Sequence, residues 1–257
     1  MSVGDFVGDV QAAIVGSGDD STMELLTELA RGGWGALHYL RARPSGWLSC
    51  PGVHGHAFDW RVDSIGEARR GVTFYGEHPV AEWLLADIGV ADPLLWDIGA
   101  YHGNFACAAL ANGWRVHAFE PARADYERLR ENLAANALQE WWTAERVAVS
   151  DQRGEIGFPE SSERTAAVGD GGSVQTSTVP GDDILGTPDV LKVDVEGHEV
   201  AVLDGMAETL SVVDRAVVEV HHPDDAAAVR RRLQDAGLET QPIPCIRPKT
   251  FIGGVRR

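Results

Sequence analysis

The sequence predicts an α/β protein with a doubly wound, mostly parallel sheet. From Pro93 onward, short apolar runs ending in an acid or a glycine alternate with longer stretches of helical periodicity, the pattern of successive βαβ units. The chain has 257 residues, 44% hydrophobic and 24% charged, ordinary values for a globular protein of roughly one to two domains. No apolar run approaches the ~18–20 residues of a membrane span.

Residues 1–20 are polar and rich in Gly and Asp, and are expected to fray. In 21–40, Ser21 or Thr22 can cap, and Leu25, Leu26, Leu29, Trp34, Leu37 and Leu40 recur at helical spacing. Gly32, Gly33 and Gly35 interrupt that pattern, so two short helices are expected. Residues 44–76 alternate briefly between Gly and Pro breaks and read as hairpins or irregular strands. His78–Ile88 reads as a helix, with Val80, Trp83, Leu84 and Ile88 on one side. Then follow a strand at 94–99, a helix at 104–113 stopped by Gly113, a strand at 114–121, an amphipathic helix at 122–138 and a strand at 142–151. Residues 152–177 read as a loop or a small hairpin. A strand at 190–197, a helix at 198–210, a strand at 215–222, a helix at 223–236 and two last strands, LETQPI and TFIGGVRR, complete the chain.

Ligands of such sheets bind beyond the carboxyl ends of the strands. The residues there are Asp97, Glu120, Asp151, Asp194 to Glu196, and Glu219 to His222. An acid at a strand end can simply cap the next helix, so the combination matters more than any one. The first turn reads Asp97-Ile-Gly99-Ala100-Tyr-His-Gly103-Asn. Gly99 permits the tight turn, and Gly103 permits close packing or close approach of a ligand. This is not G-x-G-x-x-G, and an anionic Asp97 at the mouth of the turn repels phosphate but suits a cation. Glu120 closes the next strand, where a carboxylate can accept hydrogen bonds from two ribose hydroxyls. The pair asks for a nucleoside with a cationic tail and no phosphate, a description that S-adenosyl-L-methionine meets.

The blocks DIGAYHGNF, AFEPARADYERLRENLAAN, AVSDQRGEIGF, GDDIL, LKVDVEGHEVAVLDGM and VVEVH resemble the FkbM family of class I S-adenosylmethionine-dependent methyltransferases, over about Trp83 to His222. The resemblance implies a Rossmann-like, seven-stranded sheet with the last strand antiparallel, and methyl transfer to a hydroxyl of a sugar, glycan or small natural product. It implies that Asp97, Gly99, Ala100 and Gly103 form the cofactor turn, that Glu120 and Pro121 hold the ribose, that Ala148 to Asp151 edge the adenine, and that Asp194 lies beside the methyl group. The N-terminal part matches none of these blocks, and the chain is expected to divide into an N-terminal helical and hairpin extension on the substrate side, 1–77, and an S-adenosylmethionine-binding domain, 78–257. The chain departs from the family pattern at Tyr101-His102, His198 and Pro180-Gly181.

A hydroxyl acceptor needs a base. Asp194 is the first candidate and His221 the second, favoured by an unperturbed imidazole pKa of about 6.5; His54, His56 and His78 remain if both fail. Glu196 and Glu199 are expected to cap or to neutralise Lys192. A hard-cation site from Asp182, Asp183, Asp194 and Glu196 is a minor alternative, and no metal is expected. Trp34, Trp47, Trp60 and Trp83 are expected mainly to pack, with stacking on a sugar as the alternative.

Charge narrows the partners. With 22 Lys+Arg against 39 Asp+Glu, the formal charge is −17, and only two of the cations are lysines, Lys192 and Lys249. An acidic surface nearly free of lysine points to adaptation to high salt, ahead of an acidic face for a basic partner. It argues against nucleic acid, whose binding rests on neutralised phosphates. Cys50, Cys107 and Cys245 are too few and scattered for a disulfide framework or zinc, and the acidic N-terminus lacks a basic leader, so a reducing cytoplasm is expected. Two rival classes are an NAD-dependent oxidoreductase, disfavoured by Asp97 in the turn, and a catalytically silent binding protein on the same fold.

Overall fold

The computed structural model describes residues 38, 39, 41, 42, 44–158 and 174–257. The expected helices over 21–40 therefore lie almost entirely outside the described residues, as do Trp34 and most of the 152–177 excursion. The chain divides into two compact units, one of residues 1–51 with 59–75, the other of 52–58 with 76–257.

In the smaller unit, β1 (Trp47–Pro51) belongs to a two-stranded sheet with β2 (Ala57–Arg61), the hairpin the Gly and Pro breaks predict. A helix that the sequence reading missed, α1 (Ile65–Thr73), follows it. Ser64 caps it by accepting from the Glu67 amide at 3.1 Å. Its Gly71 disguises the periodicity for a packing reason, since a Cβ there would lie 2.6 Å from Cys50 Sγ and 2.7 Å from the Trp60 ring. Trp60 is fully buried, so it packs.

The larger unit holds the seven-stranded sheet, in the order β11 (Glu239–Ile243), β12 (Thr250–Val255), β10 (Arg215–Val220), β9 (Val190–Val193), β3 (Leu94–Ile98), β4 (Arg115–Phe119) and β5 (Trp142–Glu145). All strands run parallel except β12, which is antiparallel to both neighbours. The helices are α2 (His78–Leu84), α3 (Asn104–Ala111), α4 (Arg123–Asn136), α5 (Glu199–Asp204), α6 (Ala207–Leu210) and α7 (Ala226–Asp235). Alternate residues of the central strands, Trp96 and Ile98, Leu191 and Val193, Ala216 and Val218, pack in one cluster with Val202, Leu203, Leu210, Val229 and Leu233 of α5 to α7. The residues between them face the other side, and there the register sets Asp97 directly beside Lys192.

Two expected elements divide. The strand expected at 142–151 breaks after Glu145, and β6 (Ala148–Ser150) leaves the main sheet. It pairs parallel with β8 (Val174–Pro180), which pairs antiparallel with β7 (Gly154–Phe158). The helix expected at 198–210 breaks at Gly205, where a Cβ would lie 1.9 Å from the Ser150 carbonyl; β6 passes too close for any side chain. Arg215 Nη1 closes α2 by donating to the carbonyls of Trp83, Leu84 and Ala86 at 2.7–3.1 Å. No disulfide joins the three cysteines. Among the described residues no helix is long and apolar enough to cross a membrane.

Candidate active site

The acids flagged by the sequence converge beyond the carboxyl ends of β3, β4, β9 and β10. After β3 the chain turns through Gly99, whose φ is +74° and whose Cβ position lies 1.8 Å from the Asp194 carbonyl, so only glycine fits. The amides of Gly99 and Ala100 both donate to the Phe119 carbonyl at 3.0 Å, tying the turn to β4. Gly103, at φ +90°, would place a Cβ 2.6 Å from Leu129 Cδ1, so its requirement comes from packing on α4.

Glu120 grips the turn from the end of β4. Its Oε2 accepts from the Tyr101 amide and its Oε1 from the Ala122 amide, both at 2.9 Å. Only 6% of the residue is exposed. Burial pushes its carboxyl up to about 8, against the pull of those two amides. Tyr101, with a positive φ of 53°, stacks on His102 at 3.7 Å, and His102 Nε2 meets Asp125 Oδ1 at 2.9 Å. The Pro121 carbonyl accepts from Thr176 Oγ1 at 3.2 Å, which brings the small sheet against this turn. In that sheet, Ala148 pairs with Thr178, and Ser150 lies between Asp151 Oδ1 at 3.1 Å and His198 Nε2 at 2.8 Å. His198, a departure from the family pattern, thus ties α5 to β6.

Asp97 is fully buried and faces a cation of the protein itself. Lys192 Nζ lies 3.2 Å from Asp97 Oδ1, 3.4 Å from Asp194 Oδ2 and 3.4 Å from the Gly99 carbonyl, to which it donates. Burial pushes Asp97 above the usual carboxylate range, with Lys192 offsetting part of the shift. For Asp194 the balance is reversed: burial is outweighed by Lys192, Lys249 and His221, and its carboxyl is held below the usual range. Burial disfavours charge on Lys192, but Asp97, Asp194 and Glu77 outweigh it and keep the amine protonated.

His221 follows β10 and sits among four carboxylates. Its Nδ1 meets Glu199 Oε1 at 2.7 Å, and its Nε2 lies 3.3 Å from Glu196 Oε2, 3.5 Å from Glu219 Oε1 and 3.8 Å from Asp194 Oδ1. These acids overcome the effect of burial and raise the imidazole to about 9. Lys249, the residue before β12, bridges Glu77 Oε1 at 2.6 Å and Glu219 Oε2 at 2.9 Å. Burial, reinforced by Asp194, raises Glu219 to about 7 despite Lys249. Glu196 holds a positive φ of 51°, so both Tyr101 and Glu196, in the connections after β3 and β9, carry backbone strain.

The sequence singled out Asp97, Glu120, Asp194 and His221, and the structure draws Asp97, Asp194 and His221 into one charge network, with Glu120 across the Gly99 turn. It reassigns others. Glu199 contacts His221, and the partners of Lys192 are Asp97 and Asp194. The cation set built on Asp182 and Asp183 does not assemble: Asp182 caps α6 by accepting from the Glu208 and Thr209 amides, and Asp183 pairs with Arg153 at 2.8 Å. The group with metal-ligand spacing among the described residues is Asp194, Glu219 and His221. Glu77 and Lys249 left no signal in the sequence, because each meets the site only through tertiary contact.

A model of the methyltransferase FkbM domain matches residues 97–239, from Asp97 through the start of β11. A curated relative, hexuronic acid methyltransferase AglP of Haloferax volcanii, is 33% identical over 213 residues, spanning 80% of this chain and 87% of the relative. The crystal structure of a methyltransferase FkbM from Methylobacillus flagellatus superposes with a TM-score of 0.52 at 14% identity. It covers 96% of this chain, which spans 58% of that one. The matches set aside the oxidoreductase and the silent-scaffold alternatives. The family model spans more than half of the chain, and with the 33% identical relative it settles the family: the chain belongs to the FkbM methyltransferases.

Proposed function

We propose that the protein uses S-adenosyl-L-methionine to methylate an oxygen of a sugar, with a hexuronic acid unit as the acceptor class. The observation that carries this reading is the joining of the Gly99 turn, Glu120 and Asp194 at the carboxyl ends of adjacent strands; the acceptor class rests on the Haloferax volcanii relative. The residues present suit the donor. Asp97 Oδ1 and Oδ2 and Asn104 Nδ2, at the two ends of the turn, are buried without a well-aligned hydrogen bond. Asn104 Nδ2 offers a donor for the carboxylate of an amino-acid tail, while Asp97 is held by Lys192. Each oxygen of Glu120 keeps a lone pair free for a ribose hydroxyl.

When bound, the donor supplies an electrophilic methyl group on a positive sulfur. The anionic surroundings of Asp194, Glu196 and Glu219 favour that charge. Asp97, Gly99, Ala100, Gly103, Glu120 and Pro121 hold the donor, with Ala148 and Asp151 on its adenine side. Asp97 acts by ordering the turn through Lys192. Asp194, kept ionised by Lys192, is a weak base and serves to orient the acceptor hydroxyl. His221 takes its proton. Residues 1–77 select the acceptor, and residues 78–257 bind the donor. The acidic, lysine-poor surface serves a salty cytoplasm, and no nucleic acid is a substrate.

The test is transfer of tritiated methyl from S-adenosylmethionine to oligosaccharides that contain a hexuronic acid, at high KCl, beside neutral oligosaccharides of equal length. Label on the hexuronic acid is the expected result. Label confined to neutral sugars overturns the acceptor class, and failure to bind adenosylhomocysteine in calorimetry overturns the donor.

A further inference from the structure

We propose that Glu199 is a positioning residue for the methyl transfer: it holds the His221 ring by Nδ1 so that Nε2 faces the cleft between Asp194 and Glu196. The inference deepens the reading above and rests on it for the role of His221.

Glu199 opens α5, and its side chain is fully buried. A buried carboxylate is costly unless hydrogen bonds hold it. Here Oε1 accepts twice, from His221 Nδ1 at 2.7 Å and from the Gly197 amide at 2.9 Å. The second contact anchors Glu199 to the β9–α5 connection, so its place does not depend on the imidazole. Capping does not require this arrangement, because the side chain runs from α5 across to the residue after β10. The consequence is a fixed ring: the hydrogen sits on Nδ1, and Nε2 is the nitrogen presented to the carboxylates of Asp194, Glu196 and Glu219.

The charges facing His221 come from every element around it. Asp194 and Glu196 lie after β9, Glu199 on α5 and Glu219 on β10, while Lys249, just before β12, neutralises the far oxygen of Glu219. Together they favour the imidazolium, and Glu199 does so through the shortest contact. The working form is the neutral ring. In the reaction the acceptor O–H bond breaks, the proton forms a bond to Nε2, Glu199 balances the resulting charge, and the proton leaves to solvent. Glu199 thus sets both the direction of Nε2 and the pH at which it is free to accept.

Two measurements test the proposal. In protein labelled with 15N-histidine, with His221 assigned by the His221→Ala spectrum, wild-type Nδ1 keeps its hydrogen as the ring titrates. In Glu199→Gln the ring should titrate at lower pH and lose its single tautomer. This readout needs no acceptor, so it separates the proposal from the methyltransferase reading. In turnover, Glu199→Gln should lower kcat by roughly 10-fold to 10²-fold, less than the ~10²–10⁴-fold of a lost base. It should shift the acidic limb of the pH profile to lower pH and leave the Kd of S-adenosylmethionine unchanged. Glu199→Asp should recover part of kcat, and Glu199→Gln should cost nothing further in a His221→Ala background. An unmoved His221 titration, or equal losses with and without His221, overturns the proposal; so does a loss of Tm and cofactor binding with the pH limb in place.

Discussion

Replacing Asp97 by Asn should first be a lesion of stability. Lys192 is almost wholly buried, with 4% of its side chain exposed, and lies 3.2 Å from Asp97 and 3.4 Å from Asp194. Two unit charges 3.2 Å apart attract by about 5 kcal/mol at an effective dielectric of ~20. Part of this is returned, because asparagine avoids the cost of burying an anion. Breaking a buried pair typically costs ~3–5 kcal/mol, and the remaining Asp194 contact puts this case near the lower end, about 3 kcal/mol. For a chain of this size that is a fall in Tm of roughly 6–12 °C, at ~2–4 °C per kcal/mol. The assay is thermal unfolding of wild type, Asp97→Asn and Asp97→Asn/Lys192→Met, with adenosylhomocysteine affinity measured well below each Tm. The double variant removes the orphaned ammonium and should regain part of the loss, while affinity falls because the Gly99 turn is no longer tied to Lys192. A fall under ~2 °C, or a double variant less stable than the single one, would refute the ion-pair reasoning.

Glu120→Ala should weaken S-adenosylmethionine by roughly 1.5–3 kcal/mol, the range of hydrogen bonds to a charged group, with circular dichroism unchanged; equal affinity removes the ribose assignment. Because burial raises Glu120 to about 8 in the free protein and ribose hydroxyls favour its anion, binding near pH 7 should release a proton and tighten as pH rises through about 8. Calorimetry in buffers of different ionisation enthalpy reads this, and a buffer-independent enthalpy contradicts it. Asp194→Asn should reduce kcat towards the lower end of the ~10²–10⁴-fold range while the donor still binds; full turnover on the true acceptor refutes its place beside the methyl group. With a charge of −17, Tm should rise from ~0.1 M to above ~1 M KCl as salt screens self-repulsion. A flat or falling curve favours a basic partner instead.

Both lysines of the chain lie in or beside the candidate site, Lys192 with 4% and Lys249 with 24% of the side chain exposed. The rarity of lysine is therefore a property of the surface, and the two that remain sit where a compact ammonium reaches several oxygens at once.

Much of this was legible without coordinates. Alternation of apolar runs and helical periods is a local property, so it determined the strand order class, the turn at Gly99 and the placing of Asp97, Glu120, Asp194 and Glu219 at strand ends. Turn chemistry of the same short range exposed the hairpin but hid α1, where Gly71 serves packing on Cys50 and Trp60. The pairing of the charges, by contrast, depends on which elements pack together. Asp97 meets Lys192 because β3 and β9 align in one register, a one-residue slip of which would turn them to opposite faces. Glu199 meets His221 because α5 crosses to the end of β10, and Lys249 meets Glu77 across 172 positions of chain. Periodicity reports which face a residue occupies within its own element. The partner of a buried charge is set by which elements become neighbours, and that depends on the packing of the whole sheet.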